Sequence, residues 1–215
     1  MKLYSYFRSS AAYRVRIALN FKGLDTQIIP VHLLRDGGEQ KKPDYLRVNP
    51  TGLVPTLVDG DITIAQSMAI LEYLEETHPE PALLPADAPG RARVRAIAQT
   101  IACDIHPLNN LRVLRYLKNT LEVGDAQRDE WYRHWVGLGL SAIEEMLVQS
   151  AQTGRFCHGD QPTLADILLV PQVFNARRLN CDLSAMPNIV RIDAECNTLE
   201  PFIAAAPARQ PDAEN

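Results

Sequence analysis

A chain of 215 residues, 46% of them apolar, can build one large or two small domains with a real core. Its formal net charge of −4 excludes a general partnership with nucleic acid or an anionic membrane, so any positive site must be local. Cys103, Cys157, Cys181 and Cys196 show neither C-x-x-C spacing nor a zinc-type histidine cluster. With no signal peptide and no long apolar run, they are expected to be reduced thiols in a cytoplasmic protein that binds no metal.

Residues 2–7 alternate like a strand, and 10–22 carry helical apolar spacing at Val15, Ile17, Ala18 and Leu19. Gly23 follows where a helix C-cap belongs. The run "TQIIPVHL" predicts a second strand, so residues 2–33 form a βαβ unit with a right-handed crossover. "VPTLVDGDITI" predicts two short strands around the Asp59-Gly60 turn, and "QSMAILEYLEETH" a helix with Met68, Ile70, Leu71 and Leu74 as its apolar residues. The order βαβ-ββα describes a thioredoxin-like α/β domain over residues 1–80. A linker over 81–89 contains Pro81, Pro85 and Pro89. Beyond it the pattern predicts only helices, at 90–118, 125–150, 163–180 and within 187–206. They make an all-α domain over 90–215 that ends in a polar surface tail, "PARQPDAEN".

The stretch "YFRSSAAYRVRIALNFKG", residues 6–23, places two serines where a strand gives way to a helix, with three arginines around them. A serine there is a favoured N-cap worth about 1 kcal/mol and needs no further purpose. Alternatively, the hydroxyl and the unsatisfied N–H groups of the helix start hold an anion. A thiolate suits such a place. Lowering a thiol pKa by about two units takes roughly 2.7 kcal/mol. One hydrogen bond to a charged group contributes about 1.5–3 kcal/mol, and a helix N-terminus about 0.3–1. No cysteine precedes Cys103, so the thiol would have to arrive with a ligand.

Two further stretches carry the same ambiguity. In "NPTGLVPTL", Pro55 is either an ordinary edge-strand proline or a cis residue that exposes the Val54 backbone to a peptide-like ligand. In "QSMAI", Gln66 and Ser67 are either a plain helix start or a carboxylate site.

Together, "VPTL…QSMAILEYLEE" and the βαβ-ββα module before an all-helical domain resemble the cytosolic glutathione transferases. "FRSSAAYRVRIALNFKG" is similar to the zeta-class signature in particular. The similarity continues through "LLRDGGEQ", "DIHPLNNLRVL", "GDQPTLADILLVPQV" and "RQPD", and so spans essentially the whole chain. It implies a homodimer that uses glutathione to isomerise maleylacetoacetate, within aromatic amino-acid catabolism, or alternatively its near relative maleylpyruvate.

Residue by residue, the resemblance implies that Ser9 stabilises the thiolate, with Ser10 the second serine of the motif and Arg14 inside the glutathione-contacting segment. Gln40 matches a glutathione-contacting glutamine. Val54 matches the residue whose backbone pairs with the cysteinyl part, and Gln66 with Ser67 the pair that holds the γ-glutamyl carboxylate. His106 and Asn110 match further glutathione contacts in the second domain. Ala11 stands where the family has a cysteine, which puts in doubt any side activity that leans on a second thiol.

The implied chemistry accounts for the arginines. Rotation about C=C requires the bond to become single, and reversible addition of a thiolate achieves this. The substrate is a small dicarboxylate keto acid, and guanidinium groups bind carboxylates bidentately. Arg8 and Arg178 are the expected substrate contacts, with Arg112 a weaker one. Arg14 and Arg16 are expected in salt bridges or solvent, and Arg115 and Arg177 on solvated faces. Thr163 and Asp166 read as a capping box at a buried helix start. Two other readings stand beside the isomerase. A general conjugating transferase would leave Arg8 and Arg178 unpaired beside apolar substrates, and a non-enzymatic scaffold would have no use for Ser9, Val54-Pro55 and Gln66-Ser67.

Overall fold

The first helix is written at both of its ends. In the computed structural model, which describes residues 1–214, Ser9 is the N-cap of α1 (Ser10–Phe21), and its Oγ accepts from the Ala12 N–H at 3.2 Å. At the far end Gly23 takes φ +64°, which lets Leu24 N–H close onto the Leu19 carbonyl at 2.9 Å.

Four strands make one mixed sheet in the order β2-β1-β3-β4. β1 (Lys2–Ser5) runs parallel to β2 (Gln27–Pro30) and antiparallel to β3 (Thr56–Asp59), which pairs antiparallel with β4 (Ile62–Ala65). The first strand is shorter than its alternation predicts. Ser9 N–H donates to the Tyr6 carbonyl at 2.9 Å and turns the chain into α1. With β1 ended at Ser5, the ladder closes where Val31 N–H donates to the Ser5 carbonyl at 2.8 Å, and β2 stops at Pro30. A six-residue helix, α2 (Pro43–Val48), was not predicted, being too short to show a period. The Val54–Pro55 peptide is cis, and α3 (Ser67–Thr77) buries Ile70, Leu71 and Leu74 while Met68 is only half-buried.

A second unit, Leu83–Cys196, holds helices and, among the described residues, no strand. It contains α4 (Ala88–Gln99), α5 (Leu111–Asn119), α6 (Asp125–Val148), α7 (Leu164–Arg178) and α8 (Pro187–Cys196). The single helix expected over 90–118 is broken. A π-helical turn at Thr100–Ile105 leads into a 3-10 turn at Pro107–Asn109, where Pro107 has no N–H to continue the ladder. The presumed linker is partly core: Leu83 and Leu84 are buried, and the Leu83 carbonyl accepts from Leu164 N–H at 2.8 Å. The capping box is present. Asp166, fully buried, accepts from Thr163 N–H at 2.7 Å, Thr163 Oγ at 2.8 Å and Cys157 N–H at 2.8 Å.

The helix expected within 187–206 splits into α8 and α9 (Glu200–Ala205), with Pro201 in the first turn of the latter. From Asn197 onward the chain joins the unit built from Met1–Ala82, whereas the sequence pattern grouped all of 90–215 together. The physical reason lies in α1, which packs against α9 and whose Arg16 Nε donates to the Ala205 carbonyl at 3.0 Å. Nor is the last segment a loose surface tail, since Asp212 accepts from Phe7 N–H at 3.0 Å. Among the described residues no helix is long and apolar enough to cross a membrane.

Candidate active site

Ser9 caps α1 without using its hydroxyl hydrogen. The N-cap bond uses an Oγ lone pair, so the hydroxyl hydrogen is not spent on the helix and can be donated to an anion. The residue is half-buried, between an exposed Arg8 and a buried Ser10. Arg8 lies over the Phe7 ring, with Cζ 4.8 Å from its centroid. Ala11 is buried in the first turn of α1.

Arg14 and Arg16 correct the sequence-based expectation. Neither is solvated: they are 1% and 3% exposed. Arg14 Nη1 donates to Ser67 Oγ at 3.2 Å, so it touches the second helix start through that serine. Ser67 is buried as the first residue of α3, and Gln66 before it is exposed, with φ +74°. A non-glycine residue at such φ carries strain of about 1–3 kcal/mol, which the surrounding structure must hold in place. The N–H groups of α3, with a guanidinium behind Ser67, make this end electropositive.

Val54 is buried beside Tyr6, Phe7, Val31 and Tyr45, which joins the cis-proline turn to the residues just before Ser9. It precedes the first rung of β3, where Thr56 faces Tyr4 and Ala65, so the sheet does not use its backbone. Gln40 is buried, its Nε2 donating to the Leu33 carbonyl at 3.4 Å while Oε1 has no hydrogen-bond partner among the described residues. Its neighbourhood is tight, because a Cβ on Gly38 would lie 2.6 Å from Oε1, and one on Gly52 would lie 3.2 Å from the Gln40 carbonyl oxygen. Ser9, Gln40, Val54 and Ser67 thus all lie in one unit, with Arg14 of α1 joined to Ser67 and Val54 packed beside Tyr6 and Phe7.

Three supporting residues escaped the sequence reading. Asn49 Nδ2 donates to the Leu53 carbonyl at 2.8 Å and to Thr56 Oγ1 at 3.0 Å, and Thr51 N–H donates to Asn49 Oδ1 at 3.1 Å. Tyr45 Oη hydrogen-bonds Thr56 Oγ1 at 3.0 Å, and burial pushes its phenol up. Together they hold the 49–56 turn. The Asn-Pro-Thr-Gly run was the available signal, since an Asx turn is what such a run favours.

In the helical unit, His106 and Asn110 are half-buried and adjacent, with Nε2 3.4 Å from Nδ2. Asn110 is also the N-cap of α5, its Oδ1 accepting from Arg112 N–H at 3.0 Å, and the Arg112 side chain is exposed. Arg178 is exposed at the end of α7. Its charge acts on Tyr132, whose phenol burial pushes up to about 12 and Arg178 draws back. Arg177 is exposed as expected, though it pairs with Asp193, whereas Arg115 is half-buried and not on a solvated face. Among the described residues no group of three His, Cys, Asp or Glu could hold a metal ion.

The donor set fits glutathione. A hydroxyl at a helix start suits the thiolate, an unused strand-end backbone suits the peptide, and Ser67 at the head of α3 suits a carboxylate. The buried Gln40 oxygen has acceptor capacity to spare.

The N-terminal domain family of glutathione S-transferases matches residues 1–76. Over 211 residues the chain is 49% identical to a probable maleylacetoacetate isomerase of Vibrio cholerae, covering 98% of this chain and 97% of the relative. A solved maleylpyruvate isomerase, described as a bacterial glutathione S-transferase of the zeta class, superposes with a TM-score of 0.97 at 48% identity and full coverage of both chains. A maleylacetoacetate isomerase of Anaeromyxobacter dehalogenans, solved with dicarboxyethyl glutathione and citrate in its active site, gives a TM-score of 0.86 at 46% identity, covering 99% of this chain and 93% of that one. With that sheet order, that cis-proline turn and near-complete coverage at almost half identity, the chain belongs to the zeta-class glutathione transferases, the family of the maleylacetoacetate and maleylpyruvate isomerases.

Proposed function

We propose that this protein is a glutathione-dependent cis–trans isomerase that converts maleylacetoacetate to fumarylacetoacetate, as a cytoplasmic homodimer in aromatic amino-acid catabolism. The observation that carries the reading is the Ser9 hydroxyl, which caps α1 through its oxygen and keeps its hydrogen for an anion. When bound, glutathione supplies a sulfur nucleophile whose reversible addition makes the cis double bond single and free to rotate. The ligand of the Anaeromyxobacter relative supports that chemistry, since dicarboxyethyl glutathione is a thioether of the tripeptide sulfur with a four-carbon diacid.

This chain's own residues bind and orient. Ser9 donates to the thiolate, with Ser10 and the N–H groups of α1 adding to the positive end of the helix. Ser67, backed by Arg14, and Gln66 hold the γ-glutamyl carboxylate, while the Val54 backbone pairs with the cysteinyl peptide. Gln40, His106 and Asn110 are further contacts. Arg8 and Arg178 bind the substrate carboxylates and stabilise charge gathering on the carbonyl oxygen, with Arg112 in a lesser part. A conjugating transferase for apolar electrophiles is the weaker reading, because it leaves these guanidinium groups unmatched.

Maleylpyruvate is the second candidate substrate, favoured by the 0.97 TM-score to an isomerase of that compound. Assaying both keto acids with and without glutathione tests the proposal. Isomerisation that stays undiminished after the tripeptide is dialysed away would overturn it.

Arg178→Ala is expected to raise KM for the dianionic substrate about 10- to 100-fold, the range set by losing one charge-assisted carboxylate contact of about 1.5–3 kcal/mol. Glutathione affinity should stay within about twofold, read by titration calorimetry alongside steady-state kinetics. Equal losses for both ligands would refute the substrate role.

A further inference from the structure

The turn that delivers Ser9 is gripped from both sides. On one side stands Arg16, whose Nη1 donates to Ser5 Oγ at 3.0 Å and the Tyr6 carbonyl at 3.4 Å, and whose Nη2 donates to the Phe7 carbonyl at 3.1 Å. Its Nε is held by the Ala205 carbonyl at 3.0 Å. On the other side Asp212 Oδ2 takes the Phe7 N–H at 3.0 Å. Phe7 is therefore fixed through both its N–H and its C=O, two residues ahead of Ser9. The next residue along, Ala213, packs against the cluster of Tyr6, Phe7, Val31, Tyr45 and Val54, which includes the residue before the cis-proline. The stretch 205–213 thus reaches the approach to Ser9 and the flank of Val54.

The C-terminal segment is itself held. Gln210 Nε2 donates to the Ala204 and Ala206 carbonyls at 3.0 and 3.1 Å, and Ala213 N–H closes onto the Gln210 carbonyl at 3.0 Å. A charged group is a costly way to brace a loop. Desolvation lowers the Arg16 pKa to about 10, with Tyr13 and Asp212 pulling it back. A planar guanidinium nevertheless offers five donors in a fixed fork, and it spends them on four acceptors spaced along this turn and α9.

We propose that Arg16 and Asp212 are positioning residues for Ser9, together fixing the Tyr6–Ser9 turn, so that the C-terminal segment is part of the active site. This rests on the role given to Ser9 above. Small displacements of a group that stabilises the reacting atom cost rate far more than they cost binding. A purely structural brace would change stability and leave the bound thiol alone.

The test compares Asp212→Ala, Asp212→Asn and Ser9→Ala with wild type. The readouts are the pH titration of glutathione thiolate absorbance in the complex, kcat and KM for isomerisation, and thermal melting. Asp212→Ala is expected to raise the apparent pKa of the bound thiol by about one and to lower kcat about tenfold, with KM for glutathione within about threefold. Asp212→Asn keeps an acceptor for the Phe7 N–H and should recover kcat to within about threefold of wild type. If Asp212→Ala does not fold, Asp212→Glu takes its place, keeping the charge while moving the acceptor by one methylene, with a smaller change of the same sign expected. A folded variant whose bound thiol titrates as in wild type, with kcat within about twofold, overturns the proposal. Ser9→Ala separates the two ideas. If it too leaves the bound thiol unchanged, the reading of Ser9 fails, whereas sensitivity to Ser9→Ala alone removes only the positioning role.

Discussion

Ser9→Ala is expected to give a folded protein whose isomerase kcat is about 10- to 100-fold below wild type. The two costs differ in size because the hydroxyl holds two jobs at different strengths. As an N-cap accepting from Ala12 N–H, it is worth about 1 kcal/mol, a loss of about 2–4 °C in melting temperature for a chain of this length. As a donor to an anion, it is worth about 1.5–3 kcal/mol, and each 1.4 kcal/mol is tenfold. The N–H groups of α1 survive the substitution and still contribute about 0.3–1 kcal/mol, which is why activity falls instead of vanishing. The pH profile should move as well. Without the hydroxyl, the acid limb of kcat, which follows ionisation of the thiol, shifts upward toward the ordinary thiol value of about 8.5, so the deficit is largest near neutrality and shrinks at high pH. Continuous spectrophotometric assay from pH 6 to 9 reads both effects. An unchanged rate in a folded variant would exclude Ser9 as the thiolate partner.

The parts of the fold legible in advance were those set by local chemistry. A serine before a helical apolar pattern and a glycine after it marked both ends of α1, because N-caps and left-handed C-caps depend only on the residues present there. The Asp59-Gly60 turn marked the β3–β4 hairpin for the same reason. Long-range choices were not legible. Arg14 and Arg16 look like solvated helix residues, since arginine is rarely fully buried unless paired. What buries them is Ser67, 53 positions away, and Ala205, 189 positions away. Likewise the polar composition of the last segment suggests a tail, and only Phe7 N–H, 205 residues earlier, gives Asp212 its place. The break at Pro107 was readable from the missing N–H, yet helical spacing on both sides disguised it. In the candidate site, spacing left every serine ambiguous between cap and ligand. Resemblance points toward a ligand, and the geometry of Ser9 allows both.

Asp166→Ala should be the most destabilising single change considered, at about 3–5 kcal/mol, or about 10 °C in melting temperature. Its carboxylate takes three hydrogen bonds in a fully buried setting, from Thr163 N–H, Thr163 Oγ and Cys157 N–H. Truncation leaves two buried backbone donors without acceptors, each costing about 1–3 kcal/mol. It also frees the start of α7, a helix whose buried residues run from Leu164 to Ala176. The loss stays below the simple sum because burial already makes the charge expensive: desolvation raises the Asp166 pKa, against the hydrogen bonds from Cys157 and Thr163. Removing the side chain removes that cost along with its bonds. None of this touches the proposed thiolate chemistry. Differential scanning calorimetry should therefore show the large drop while kcat per folded molecule at 20 °C stays within about twofold of wild type. A melting temperature within about 3 °C of wild type would mean that water or a neighbouring side chain replaces the carboxylate, and that the box is not what anchors α7.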